Sequence, residues 1–343
     1  MADYYQLGPQ GSGAGRWVQL PDAAGKPVVT WTLLAVNGLV WLAMQVAGGS
    51  KDPEILLDFG AMFGPFIANG EYWRLLTAMF LHVGFVHLLF NGIGLFIFGR
   101  LVERVYGHFR FGIIYATAGL AGSVASYLIN PTAIAAGASG AIFGVLGALA
   151  AFFLARRDVL GELGRQNLSG ILIVAVISLL YGFITPGIDN WAHMGGLVAG
   201  FGIGFAFVPE YRTVQNPFGF AYSAWAASPS ARALWVLPLA ALVLVAGAGL
   251  GTVALPDTPL SHVLKAEGQL EQGSYDEALV EIEHALQLDP SIGTAYYLRA
   301  RIMAAFGNAQ QAREDLGIAI QRGLDRETAA AALALLVELS LRR

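Results

Sequence analysis

The run GASGAIFGVLGALAAFFL at residues 137–154 has no charged side chain and sets one hydroxyl, Ser139, near the head of a segment of membrane length. A second uncharged run, WAHMGGLVAGFGIGFAFV at residues 191–208, holds His193. A neutral imidazole in hydrocarbon must find a hydrogen-bond partner, so a histidine there marks a functional site whose partner has to be named. The partner is Ser139.

Working outward, seven stretches lack Asp, Glu, Lys and Arg, near 28–47, 75–98, 111–129, 139–154, 168–184, 191–208 and 234–255. Each comes close to the roughly 17 to 25 residues that a helix needs to cross hydrocarbon. With 56% hydrophobic and 13% charged residues and a mean hydropathy of +0.58, the chain reads as a polytopic membrane protein. Residues 1–27 are Gly-rich and polar, without an apolar core beside a small-residue cleavage site. No cleavable signal peptide is expected there, and the first span directs insertion.

Basic residues in the short connections set the orientation. If the N-terminus is inside, the inner side holds Arg16, Lys26, Arg100, Arg104, Arg110, Arg156, Arg157, Arg165, Arg212 and Arg232, whereas the outer loops hold only Lys51 and Arg74. The positive-inside rule then makes residues 1–27 cytoplasmic and, after seven spans, places the tail outside. The chain has no cysteine, which excludes a disulfide framework, a thiolate metal site and thiol chemistry.

The expected organisation is all-α: a bundle of six spans over 28–208, a loop over 209–233 with Pro217, Gly219 and Pro229, a seventh span at 234–255, and a small soluble helical repeat domain over 256–343. Within the tail, Ala266, Ala300 and Ala334 recur 34 residues apart, as do Gly273 and Gly307, Ala278 and Ala312, and Ala285 and Ala319. That period, with a Gly-Ser-Tyr-Asp-Glu-Ala turn from Gly273 to Ala278 and a stop at Asp289-Pro290, resembles a tetratricopeptide repeat, a stacking helix-turn-helix unit. Two repeats and a closing helix after Asp325 account for the tail. It carries a net charge of −5, and nothing in the chain is basic enough for a nucleic-acid partner.

The second span holds His82, His87 and Asn91. His87 and Asn91 are four apart and share a helix face, so their N–H groups can point at one spot, while His82 would lie about 140° around the helix and do a different job. Gly-Ala-Ser-Gly is common wherever membrane helices pack closely, but Ser139 sits where an unstructured, charge-free connection over 130–138 turns into a helix. Unpaired N–H groups and the positive end of the helix dipole gather there and can stabilise an oxyanion. Gly140, Gly144 and Gly147 form a stripe on that helix, and Gly196, Gly200 and Gly204 form one beside His193. If the stripes meet, Ser139 comes within reach of the imidazole.

Taken together, Trp73-Arg74, His82-x4-His87-x3-Asn91, Gly137-x-Ser139-Gly140 and Ala192-His193-x-Gly195-Gly196 resemble the rhomboid family of intramembrane serine proteases, over roughly half the chain. The resemblance implies a rhomboid-like core with one added span. It makes Ser139 the nucleophile and His193 the general base, with an oxyanion hole of His87, Asn91 and backbone N–H groups at Ala138 and Ser139. Gly137, Gly140, Phe143, His82, Trp73 and Arg74 are supporting residues. The family uses a dyad, so Asp189, four before His193, reads as a helix cap.

One residue departs from the pattern. Phe143 stands where bacterial members often have Tyr, which leaves stacking alone to position His193. The implied reaction is hydrolysis of transmembrane segments of other membrane proteins in the bilayer of a bacterial plasma membrane, through an acyl-enzyme, with neither cofactor nor metal. The tail would bind a protein or peptide partner. Two rivals are a catalytically silent relative that binds membrane clients and a solute transporter. The first would lack the Ser or the His, and the second would show related halves with broken helices.

Overall fold

The structure, a computed structural model, describes residues 4–7, 16–19, 25–68, 70–215, 221–226 and 257–341. The span expected at 234–255 lies outside the described residues. The chain divides into two compact units, one made of residues 1–67 and 72–254 and the other of residues 255–343 together with the short stretch 68–71.

The first unit is a helical bundle. Its long elements are α1 (Val28–Ala47), a broken second span described below, α7 (His108–Ile129), α8 (Ser139–Ala155), α9 (Arg157–Ile184) and α10 (Asn190–Phe207). Four helices among the described residues, Val28–Ala47, Gly84–Tyr106, His108–Ile129 and Arg157–Ile184, are long and apolar enough to cross a bilayer. Their outward faces are apolar as well: Leu39 and Val46 on α1, Phe90 on the second span, and Ile177, Leu180 and Phe183 on α9 are all exposed. Side chains of this kind in such numbers belong against lipid rather than water.

Helix α8 is the centre of the bundle, with every residue from Gly140 to Phe152 buried. A helix that is apolar all round is one enclosed by others. Its 17 residues span about 26 Å at 1.5 Å per residue, short of the roughly 30 Å of a hydrocarbon core. It is walled by α7 and α10, and against α10 the approach is backbone to backbone. A Cβ added at Gly196 would lie 1.9 Å from the Gly140 carbonyl oxygen, and one at Gly200 would lie 2.0 Å from that of Gly144. At Gly204 the clash would be with Ala148 Cα, at 2.5 Å. The two glycine stripes therefore meet, as the sequence leads one to expect.

The second span is displaced from the expected 75–98. The chain runs from α4 (Arg74–Thr77) through a 3-10 turn at Ala78–Phe80 and an extended step into α5 (Gly84–Gly94), a π turn at Leu95–Gly99 and α6 (Arg100–Tyr106). The break falls at Gly84, whose φ of +76° only glycine adopts without strain. His82 thus precedes the helix and takes no position around it. Before α4 come two short helices, α2 (Pro53–Asp58) and α3 (Gly64–Ala68), and Leu56 and Ala61 of this segment pack with Met44 of α1 and with Leu81.

Three other expectations need correction. The connection at 130–138 is strapped down, because Met62 and Ala135 exchange backbone hydrogen bonds of 2.9 Å each way and Gly64 N–H donates to the Pro131 carbonyl at 2.8 Å. The loop expected at 209–233 carries strands β3 (Glu210–Gln215) and β4 (Ala221–Ala226), and the N-terminal segment carries β1 (Tyr4–Leu7) and β2 (Arg16–Gln19). They form a small sheet in the order β1-β2-β4-β3, with β2 and β4 parallel. Each strand includes aromatic or β-branched residues, which favour extended backbone even beside Pro- and Gly-rich sequence. The third correction falls in the tail. Ala334 is exposed and Ala332 is buried instead, on a last helix that starts at Arg326, 33 rather than 34 residues after Gly293.

The second unit is a run of helices: α11 (Pro259–Glu271), α12 (Tyr275–Leu288), α13 (Gly293–Ala305), α14 (Ala309–Arg322) and α15 (Arg326–Leu341). The starts of α11 and α13, and of α12 and α14, lie 34 residues apart, and the turn glycines Gly273 and Gly307 have φ of +77° and +78°. Ala266, Ala278 and Ala285 are wholly buried, and so are their counterparts Ala300, Ala312 and Ala319. Small residues at matched places let paired helices close on one another.

Candidate functional site

Ser139 is the first helical residue of α8, with Ala138 as the N-cap. The first N–H of the helix to reach a backbone carbonyl is that of Ile142, donating to Ala138 at 3.0 Å. The N–H groups of Ser139, Gly140 and Ala141 are therefore the orphan donors of a helix start. They point to where negative charge is best received, at the positive end of the dipole.

Gly137 brings His87 to this helix start. Its φ is +144°, and a Cβ there would lie 2.9 Å from His87 Nε2 and 3.8 Å from Ser139 Oγ. Any larger residue would collide with the imidazole where it now sits. Gly137 is itself held by donating its N–H to the Ala78 carbonyl at 2.9 Å. The Val83 N–H donates to His87 Nδ1 at 3.3 Å, which fixes the neutral ring with its proton on Nε2. His87 thus offers an N–H donor beside Ser139. Asn91 is buried one turn further on, and its Nδ2 donates to the His87 carbonyl at 3.1 Å, so one of its two N–H bonds serves its own helix.

His193 lies in the first turn of α10, buried and stacked on Phe143 with ring centroids 4.2 Å apart and planes 9° from parallel. Phe143 is four residues after Ser139, on the same face of α8. Gly140 lies against the neighbouring Ala192, whose carbonyl oxygen would be 3.3 Å from an added Cβ. The serine and histidine are thus set on abutting helix starts, but they are not hydrogen-bonded to each other, and His193 Nδ1 is buried with no partner among the described residues. Catalytic hydrogen bonds are often long in the free enzyme and tighten on binding. Asp189 caps α10, accepting from the Ala192 N–H at 3.0 Å.

The supporting residues divide by location. His82 is fully buried with its ring edge-on to His87 at 5.3 Å, so it backs the donor rather than facing the serine. Arg74 donates through Nη1 to the carbonyls of Leu57 and Ala61 at 2.5 and 3.2 Å and lies over the rings of Phe66 and Trp73. Trp73 in turn covers Gly60, where a Cβ would meet its ring at 2.4 Å. The Trp-Arg pair therefore ties down the segment from α2 to α4 and does not reach Ser139.

Three buried positioning residues escaped the sequence reading. Tyr106 Oη donates within reach of two carbonyls, Ala148 on α8 at 2.9 Å and Gly204 on α10 at 3.1 Å, and so fastens the two helices to each other about two to three turns beyond the site. Glu103 accepts from the N–H groups of Val29 and Thr30, each at 2.8 Å, capping α1 from another helix. Asn190 Nδ2 donates to the Leu179 carbonyl at 3.1 Å, tying α10 to α9. Glu103 left a trace in the sequence, an acidic residue at the end of an apolar run.

This fold and site define an integral, multi-pass membrane protein whose innermost helix begins at a serine beside a buried histidine. Residues 69–210 match the rhomboid domain. The chain is 36% identical over 185 residues to the putative rhomboid protease YdcA of Bacillus subtilis (strain 168), covering 54% of this chain and 90% of that protein. To the rhomboid protease GluP of the same organism it is 35% identical over 301 residues, 82% of this chain and 58% of that protein. RHOMBOID-like protein 1 of Arabidopsis thaliana is 38% identical over 198 residues, 54% of this chain and 48% of that protein. The chain belongs to the rhomboid family. It spans little more than half the length of GluP and about half that of the plant relative.

Proposed function

We propose that this chain is an intramembrane serine endopeptidase that cleaves transmembrane segments of other membrane proteins. The observation that carries the reading is the glycine crossing of α8 and α10, which sets Ser139 and His193 on abutting helix starts with the His87 donor alongside. His193 takes the Ser139 proton as Oγ attacks the substrate carbonyl, and the developing oxyanion is received by His87, Asn91 and the N–H groups at the start of α8. The imidazolium then protonates the leaving amine. Water, activated by His193, hydrolyses the acyl-enzyme and regenerates the serine.

Substrate backbone must be extended to enter, since helical backbone is internally bonded. Segments with helix-weakening residues near their outer end are the expected clients. The distribution of basic residues supports a cytoplasmic N-terminus and, with a seventh span at 234–255, a tail outside the cytoplasm. The 34-residue recurrence supports a tetratricopeptide-like tail that recruits substrates or joins protomers. A purified chain given a labelled transmembrane substrate in detergent should cut it, and Ser139→Ala and His193→Ala should each abolish cutting. Cleavage by either variant would overturn the dyad.

A further inference from the structure

The tail carries a cluster that the proteolytic reading does not use. His262 on α11, with Glu281 and His284 on α12, offers three ligand atoms that all lie within 4.8 Å of one another. Glu281 and His284 are three apart and share one helix face, and His262 reaches them from the preceding antiparallel helix. A Glu-x-x-His pair facing a histidine on a neighbouring helix is how helical bundles build metal sites from side chains.

The electrostatics favour a cation. His262 is buried and contacts a carboxylate with each ring nitrogen: Nε2 meets Asp257 Oδ1 at 2.5 Å, and Nδ1 meets Glu281 Oε2. A carboxylate on one nitrogen of a histidine orients the ring and raises the basicity of the other, the arrangement found behind metal-binding imidazoles. His284 is exposed and lies edge-on to His262 at 5.3 Å, and its nitrogens have no hydrogen-bond partner among the described residues. Among the described residues, the fixed positive charge paired with these carboxylates is the Lys265 ammonium, 3.9 Å from Glu281, so there two carboxylates face one cation.

We propose that His262, Glu281 and His284 form a binding site for a divalent first-row metal ion, with Asp257 orienting His262. Two imidazoles and one carboxylate suit Zn2+, and three protein ligands leave a fourth position for water or for an acidic group on a bound partner. The ion would cross-link α11 to α12, fixing the first helix pair of the tail. The site is independent of the Ser139 chemistry.

The test uses the full chain without an affinity tag, in detergent, stripped with a chelator and titrated with Zn2+ against a chromogenic competitor. One equivalent should bind, and His284→Ala and Glu281→Gln should each weaken it at least tenfold, with Asp257→Asn weakening it by about 10- to 100-fold. His284 is exposed, so its replacement should leave metal-free thermal unfolding unchanged and any loss of binding can be assigned to the ligand. The remaining histidines, His82, His87, His108 and His193, lie in the bundle. No stoichiometric binding by the wild-type chain would overturn the proposal, leaving an ion-paired imidazole, and so would undiminished binding by His284→Ala and Glu281→Gln.

Discussion

The Phe143 ring lies flat on the His193 imidazole, 4.2 Å between centroids and 9° from parallel. With no hydroxyl on Phe143 and no partner at His193 Nδ1 among the described residues, this stack holds the plane of the proposed base. Aromatic pairs contribute about 0.5–1.5 kcal/mol beyond their burial, so Phe143→Leu should lower kcat by roughly 2- to 10-fold. The loss should fall on kcat rather than KM. An unchanged kcat would mean that the walls of α8 and α10 alone hold the ring.

His87 and Asn91 should matter chiefly in the transition state. His87→Ala should reduce kcat by about 10- to 1000-fold with a smaller change in KM. Asn91→Ala should cost less, because one of its N–H bonds is already given to the His87 carbonyl. Steady-state kinetics on a transmembrane substrate distinguish this from packing, which would show in KM or in thermal stability instead.

Replacing Gly200 tests the helix crossing itself. A Cβ at Gly200 would lie 2.0 Å from the Gly144 carbonyl oxygen, whereas nothing lies within 4 Å of one at Gly202. Gly200→Leu should therefore separate α8 from α10, costing about 1–3 kcal/mol or more and lowering Tm and activity together. Gly202→Ala should change neither. Full activity in Gly200→Leu would show that the crossing does not set the Ser139–His193 geometry.

The tail offers a different kind of check. Asp315 is fully buried and accepts from Arg299 Nε at 2.9 Å and Nη2 at 2.7 Å. Breaking a buried pair leaves an uncompensated charge, so Asp315→Ala should destabilise the tail by about 3–5 kcal/mol, toward the low end because Arg299 keeps some contact with water. Limited proteolysis of the tail should report the loss, while cleavage of a generic transmembrane substrate stays at the wild-type rate.

Much of this arrangement is written in one dimension. Charge-free runs place α1, α7, α8 and α10 to within a few residues, because a bilayer allows few ways to bury backbone. Glycine spacing on α8 and α10 gives the crossing, since helix periodicity puts those positions on one stripe. What hydropathy does not register is backbone direction. His82 belongs to an extended step because Gly84 adopts a positive φ, and a window average over 75–98 passes across that break. The strapping of 130–138 by Met62 and the double anchor of Tyr106 are contacts between distant segments, which no local pattern encodes. The site's residue types were legible, but the mutual placement of His82, His87 and Asn91 was not.

The central claim is that Ser139 is a hydroxyl activated by the His193 imidazole. Reaction of the detergent-solubilised chain with a fluorophosphonate, followed by mass-spectrometric mapping of the adduct, tests it most directly. The account predicts one phosphonylated residue, Ser139, with labelling lost in Ser139→Ala and strongly slowed in His193→Ala. Labelling that persists in Ser139→Ala, or proceeds at the wild-type rate in His193→Ala, would contradict it.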